Sequence, residues 1–128
     1  MSRESEKFDS EAFYERLVVF GQRCQKLVAR LPKTDYNKIY GRQLIRSSAS
    51  PGSNYIEALE ALGKKDFIHK LRVCRKEARE SVHWLRLIKE ANPVLKEINK
   101  EAIKLIEEGR EIIKILSSSI LTLEKKNK

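Results

Sequence analysis

Apolar residues recur along most of this chain at alternating spacings of three and four, the period that gathers side chains on one side of an α-helix. The first series is Phe13, Leu17, Phe20, Cys24, Leu27 and Leu31, with Ser10 ahead of it as an N-cap residue. Pro32 ends it, and Leu31 to Asp35 reads as a short turn between helices. A second segment opens near Tyr36 and has Ile39, Leu44, Ile45, Ile56, Leu59 and Leu62 as its apolar positions. Its middle, Ser47 to Asn54, contains Pro51 and Gly52 and has the local propensity of a breaker. Periodicity leaves two readings open there: a loop between two short helices, or one long helix kinked at Pro51.

Gly63 separates this segment from a third, Lys64 to Ala91, whose apolar side is Phe67, Leu71, Cys74, Ala78, Val82 and Leu85. Asn92-Pro93 follows, with Pro93 suited to the first position of the next helix. The last segment carries Leu95, Ile98, Ala102, Leu105, Gly109, Ile112, Leu116, Ser119 and Leu123, with Ile106, Ile113 and Ile120 as a second row. A stripe that wide serves either an ordinary bundle core or a core plus a subunit contact. No alternating β-branched run appears, so a sheet is not expected. The pattern predicts an all-α chain, an antiparallel up-down-up-down four-helix bundle over residues 10–123. A flexible N-terminus (1–9) and a basic C-terminal tail (124–128) flank it.

The polar side of the third segment is unusual. Lys65, His69, Arg72, Lys76, Arg79, His83 and Arg86 follow one another at spacings of four and three, with no acidic residue in the series. An ordinary solvated face mixes signs, because Glu–Lys pairs one turn apart stabilise a helix and like charges do not. The formal net charge is +9. Lys64 to Ala91 holds nine Lys and Arg against four Asp and Glu, so more than half of that excess lies in under a quarter of the chain. Concentrated charge favours a patch for a polyanion. The seven side chains span roughly 30 Å of helix, and duplex DNA offers one charge per ~1.7 Å of axis. Arg75, Arg42, Lys38 and the tail widen the footprint. The plainer reading is a solvated face whose acids lie on neighbouring helices. No base-reading motif is present, so a bound nucleic acid is expected to be held by its backbone, with weak sequence preference. Trp84 and Tyr55 are the candidates for stacking on bases.

Catalytic chemistry finds no support. Cys24 and Cys74 sit in apolar stripes, where a thiol is unreactive, and further cysteines at metal-ligand spacing are missing. Glu80-x-x-His83 and Asp66-x-x-His69 imitate the carboxylate–histidine motif of di-metal bundles, but both lie on one helix, about 21 Å apart, with their histidines away from the apolar side. No metal site, cofactor or catalytic residue is therefore expected. Glu77 and Glu80, like Glu107 and Glu108, read as surface charge among Lys and Arg. The first nine residues lack the apolar region of a signal peptide and no run nears the ~18 apolar residues of a membrane span, so a cytoplasmic protein is expected. Trp84 and Leu87 lie beside the basic stripe, either as a subunit contact or packed over the edge of the same bundle.

Gln43-Leu44-Ile45-Arg46, Ser50, Ser53-Asn54-Tyr55-Ile56-Glu57, Lys65-Asp66-Phe67-Ile68 and Leu71 together resemble the signature of the bacterial four-helix-bundle protein family. Its members resemble proteins encoded by intervening sequences within 23S ribosomal RNA genes. They are similar in architecture to the accessory variability proteins of diversity-generating retroelements. The resemblance runs from Phe13 to Leu123. It implies a non-enzymatic bundle assembled as a ring-shaped homopentamer with a basic surface, and, among the retroelement relatives, partnership with nucleic acid and a reverse transcriptase. It also favours one long, kinked second helix. Many members have Pro-Ser-Asn-Ile-Ala-Glu-Gly where this chain has Gly52 to Ala58, with Pro51 one place earlier. The polar residues of that stretch, Arg46, Ser50, Asn54 and Glu57, are expected to satisfy the backbone around Pro51 and to pair across the bundle, Arg46 with Glu57 or Glu80.

Two functions from different classes fit these features. One is an oligomeric bundle binding RNA or DNA through the basic helix face, as an accessory to ribosomal RNA or to a nucleic-acid enzyme. The other is a scaffold whose positive face docks an acidic protein.

Overall fold

The computed structural model describes residues 9–126. It is built from α1 (Ser10–Ala29), α2 (Asp35–Leu59), α3 (Lys64–Ala91) and α4 (Lys96–Lys125), and the described residues contain no strand. Each helix packs on two neighbours in the ring order α1, α2, α3, α4, as an up-down-up-down arrangement requires. Apart from Asp9, the N-terminal segment lies outside the described residues, as do the last two residues of the tail.

α1 is capped one residue earlier than the Ser10 expectation: the Asp9 carboxylate accepts from the Ala12 N–H at 3.0 Å. Phe13, Leu17, Phe20, Cys24 and Leu27 are all buried, and Leu31 packs under the turn beyond the helix end. The α4 start also differs from expectation. Pro93 lies in the turn, and the helix begins at Lys96 after Leu95. Both apolar rows of α4 enter the bundle. Ile106 and Ile120 are buried, and Ile113 packs half-buried against the core, so the wide stripe is core within one chain.

α2 departs most from its sequence pattern. It runs unbroken through Pro51, which excludes the two-helix reading. Pro51 has no N–H for the Ser47 carbonyl, and serine-rich segments compete with helix. The side chains instead bond back along the same helix. Ser50 Oγ donates to Arg46 O (2.9 Å), and Ser53 Oγ and Asn54 Nδ2 donate to Ser50 O (both 3.0 Å). Of the expected apolar side only Leu44 is buried. Ile39, Ile45, Ile56 and Leu59 are exposed, and Leu62 beyond the helix is fully so. Inward go Asn37, Gly41, Leu44, Ser47, Ser48, Pro51, Gly52, Tyr55 and Ala58.

Size explains the inversion. A Cβ on Gly21 of α1 would lie 3.0 Å from the Ser48 carbonyl oxygen, and a Cβ on Gly41 would lie 2.7 Å from Val28 Cγ1. Helices this close leave room for glycine, serine and alanine but not for isoleucine.

Polar ties set the register. At one end the amides of Asn37 and Asn92, both buried, each donate to the other at 2.9 Å, and each also donates to a backbone carbonyl, Pro32 O and Ile88 O. Midway, Ser81 Oγ donates to Ser47 Oγ (3.1 Å), and further along Cys74 Sγ donates to Pro51 O (3.4 Å). Between α1 and α4 the guanidinium forks of Arg16 and Arg23 grip Glu108 and Glu101.

Candidate nucleic-acid interface

α3 starts at Lys64, directly after Gly63. Its buried side is Ile68, Leu71, Cys74, Glu77, Ala78, Ser81, Val82, Leu85 and Ile88. That leaves Lys65, His69, Arg72, Lys76, Arg79, His83 and Arg86 outside, and all seven are exposed. Their charges are barely compensated. Arg72 pairs with Glu124 of α4, and Lys76 lies 3.8 Å from Glu77. Among the described residues Lys65, Arg79 and Arg86 form no ion pair. Arg75 is half-buried and donates to Ser117 Oγ of α4 at 3.2 Å, while Lys38 and Arg42 are exposed on α2.

The middle of this face is dished. Arg72, Arg75, Lys76, Arg79, Glu80 and His83 surround an open depression in which Trp84 also takes part. Trp84 is half-buried and packs against the core. Its ring lies 6.1 Å from that of Tyr40 on α2, inclined by 32°, and 4.8 Å from His83, edge to face. Tyr40 in turn meets Tyr36 at 6.4 Å. The indole Nε1 is buried and meets no acceptor among the described residues. Leu87 is half-buried one turn further on.

The polar residues around Pro51 divide into two groups. Ser50 and Asn54 serve their own helix. Arg46 reaches α3, donating to Glu80 (2.5 Å) and Glu77 (3.1 Å), and its Nε donates to Gln43. Glu57 pairs with Lys70 at 2.9 Å and not with Arg46. Glu77 was expected on the surface. It is buried, and its charge is met by Arg46 from the neighbouring helix.

Both cysteines are buried, and desolvation pushes each thiol up to about 12, so neither is a thiolate nucleophile near neutrality. His69 and His83 stand apart on the exposed face, and no group of three or more His, Cys, Asp and Glu among the described residues could hold a metal ion. None of the described helices is long and apolar enough to cross a membrane. The arrangement is suited to holding anions on an exposed, cationic surface with one aromatic recess.

Sequence reading located the cationic face but missed Tyr36, Tyr40 and Glu77. The tyrosines belong to α2, and only the packing of α2 on α3 brings them to Trp84.

No curated protein matches the chain. A crystal structure of a protein of unknown function from the S23 ribosomal protein family, from Bacteroides thetaiotaomicron, has the same fold, with a TM-score of 0.75 and 29% identity. That similarity covers 87% of this chain and 96% of the Bacteroides protein. The 23S rRNA-intervening sequence protein family matches residues 11–118, which takes in α2 and α3 whole, most of α1 and α4, and every residue of the cationic face. With sequence and fold in agreement, the chain belongs to the 23S rRNA-intervening sequence protein family.

Proposed function

We propose that the outer face of α3 binds the sugar–phosphate backbone of RNA or DNA with little sequence preference, without catalysis. The observation that carries this reading is the exposure of Lys65, His69, Arg72, Lys76, Arg79, His83 and Arg86 along one side of α3, with so few acidic partners. Cations left unpaired beside one another destabilise a helix slightly, and releasing counterions from a polyanion returns more than that. The family's association with 23S rRNA by name makes structured RNA the first ligand to test.

Self-assembly is part of the same reading. The resemblance implies a homopentamer, and the exposed aliphatic side chains Val19, Ile39, Ile45, Ile56 and Leu59 of α1 and α2 offer a surface for it. With Trp84 half-buried against Tyr40, these residues are the stronger candidates for subunit contact.

The test is titration of a labelled structured RNA and a matched duplex DNA with nuclease-treated protein at several salt concentrations. Log affinity should fall linearly with log salt, by about 0.9 for each phosphate contacted on duplex DNA. Reversing Arg72, Arg79 and Arg86 to Glu should abolish binding at unchanged helicity. Absence of binding at low salt would transfer the face to the scaffold reading, in which an acidic protein docks there.

A further inference from the structure

We propose that Trp84 offers a stacking surface for one unpaired nucleobase, so that the cationic face prefers single-stranded or looped RNA to uninterrupted duplex. This rests on the backbone-binding reading and specifies its ligand. The depression beside Trp84 is ringed by Arg72, Arg75, Lys76 and Arg79, so cations that hold phosphates stand within one side chain's reach of an aromatic surface. Phosphate and base are the two parts of a nucleotide, and the recess offers a counterpart to each.

The indole is placed before any ligand arrives. The Tyr40 ring lies 6.1 Å from it and the His83 ring 4.8 Å from it at a steep angle, so little side-chain freedom remains to be lost on binding. Its Nε1 is buried, so the part of Trp84 that reaches the surface is carbon. An aromatic carbon surface among guanidinium groups suits the face of a base better than its hydrogen-bonding edge. Bases within a duplex hide those faces against one another, spaced 3.4 Å along each strand, whereas unpaired bases in loops and single strands expose them. Glu80 on the rim does not oppose a phosphate strongly, because Arg46 holds its carboxylate at 2.5 Å.

Trp84 is the only tryptophan, so its fluorescence reports the site directly. The experiment compares a single-stranded RNA with a blunt duplex of equal phosphate number, reading both anisotropy of the labelled nucleic acid and Trp84 emission. Single strands should quench Trp84 and duplex should not. Trp84→Leu should lower the ratio of single-strand to duplex affinity by about tenfold, the usual effect of removing one stacking ring, and Trp84→Phe should restore most of it. If Trp84→Leu does not fold, quenching of the unaltered protein still decides. Equal quenching by both ligands, or an unchanged ratio in Trp84→Leu, overturns the stacking surface while salt-dependent duplex binding leaves the backbone reading standing. Failure of both ligands to bind overturns the two together.

Discussion

Asn37 and Asn92 form a closed amide pair inside the bundle, each donating to the other at 2.9 Å from the first turn of α2 and the residue that ends α3. The Asn37 amide also donates to the Pro32 carbonyl, and the Asn92 amide to that of Ile88. Asn99 of α4 donates to the Asn92 carbonyl at 2.8 Å. One pair thus ties the α1–α2 turn to the α3–α4 turn and fixes the register of antiparallel helices.

Replacing either member alone leaves a buried amide without its partner. Asn37→Ala or Asn92→Ala is expected to lower stability by about 2–3 kcal/mol in urea unfolding, near the top of the range for an unsatisfied buried group. The double replacement should cost clearly less than the two single effects added, since the second change removes the orphan left by the first. Additive losses would show that the two amides act independently.

Gly109 of α4 sits where a Cβ would lie 2.7 Å from Val82 Cγ2 and 3.5 Å from the Phe20 ring. Valine is stiff about χ1 and cannot swing aside. Gly109→Ala should therefore destabilise by about 1–2 kcal/mol, although alanine is the better helix former by up to ~1 kcal/mol. Pairing it with Val82→Ala should recover part of the loss, measurable as a coupling in thermal or urea denaturation.

The two thiols predict an alkaline weakness. Burial pushes Cys24 and Cys74 up to about 12 in the folded protein, above the unfolded value near 8.5. The folded state therefore keeps these protons where the unfolded chain releases them, and stability falls as pH rises through that window. Both thiols together contribute at most about 2.7 kcal/mol per pH unit. Burial also raises the Tyr55 phenol, which acts in the same direction. Comparing the pH dependence with that of a Cys24→Ala, Cys74→Ala variant isolates the thiols, and the variant's stability should decline less steeply above pH ~9. Equal slopes would mean that the thiols ionise in the folded state as readily as in the unfolded chain.

If copies meet across α1 and α2, Ile45→Asp with Ile56→Asp should reduce the sedimenting mass without loss of helicity. Both side chains are already exposed in the single chain, 40% and 46% respectively, so the bundle itself should tolerate the change. An unaltered mass would place the contact elsewhere, with Trp84 and Leu87 the next surface to vary.

Three helices could be read from hydropathy because their buried sides are made of leucine, isoleucine and phenylalanine at helical spacing. Leu71, Leu85, Leu105 and Ile112 each fall on the expected side and each is buried. α2 resisted because its inward residues are chosen for size, and its isoleucines point outward. Gly41 and Ser48 are inward only because α1 comes so near, which the α2 segment does not record. The cationic face was legible for the opposite reason: all its members lie on one helix and need no partner to be exposed. The aromatic recess and the buried Glu77 each take residues from two helices, so they emerge only once α2 and α3 are in register.

The serine, proline and glycine buried along α2 have a consequence for how the chain comes into being. Alone in water such a segment has little tendency to coil, and what holds it helical is contact with α1 on one side and α3 on the other. A nascent chain that has emerged only as far as Glu60 should thus remain largely unstructured beyond α1. The second and third helices should then form in one step, so a ribosome stalled between Leu59 and Ala91 would display a half-made protein open to proteases.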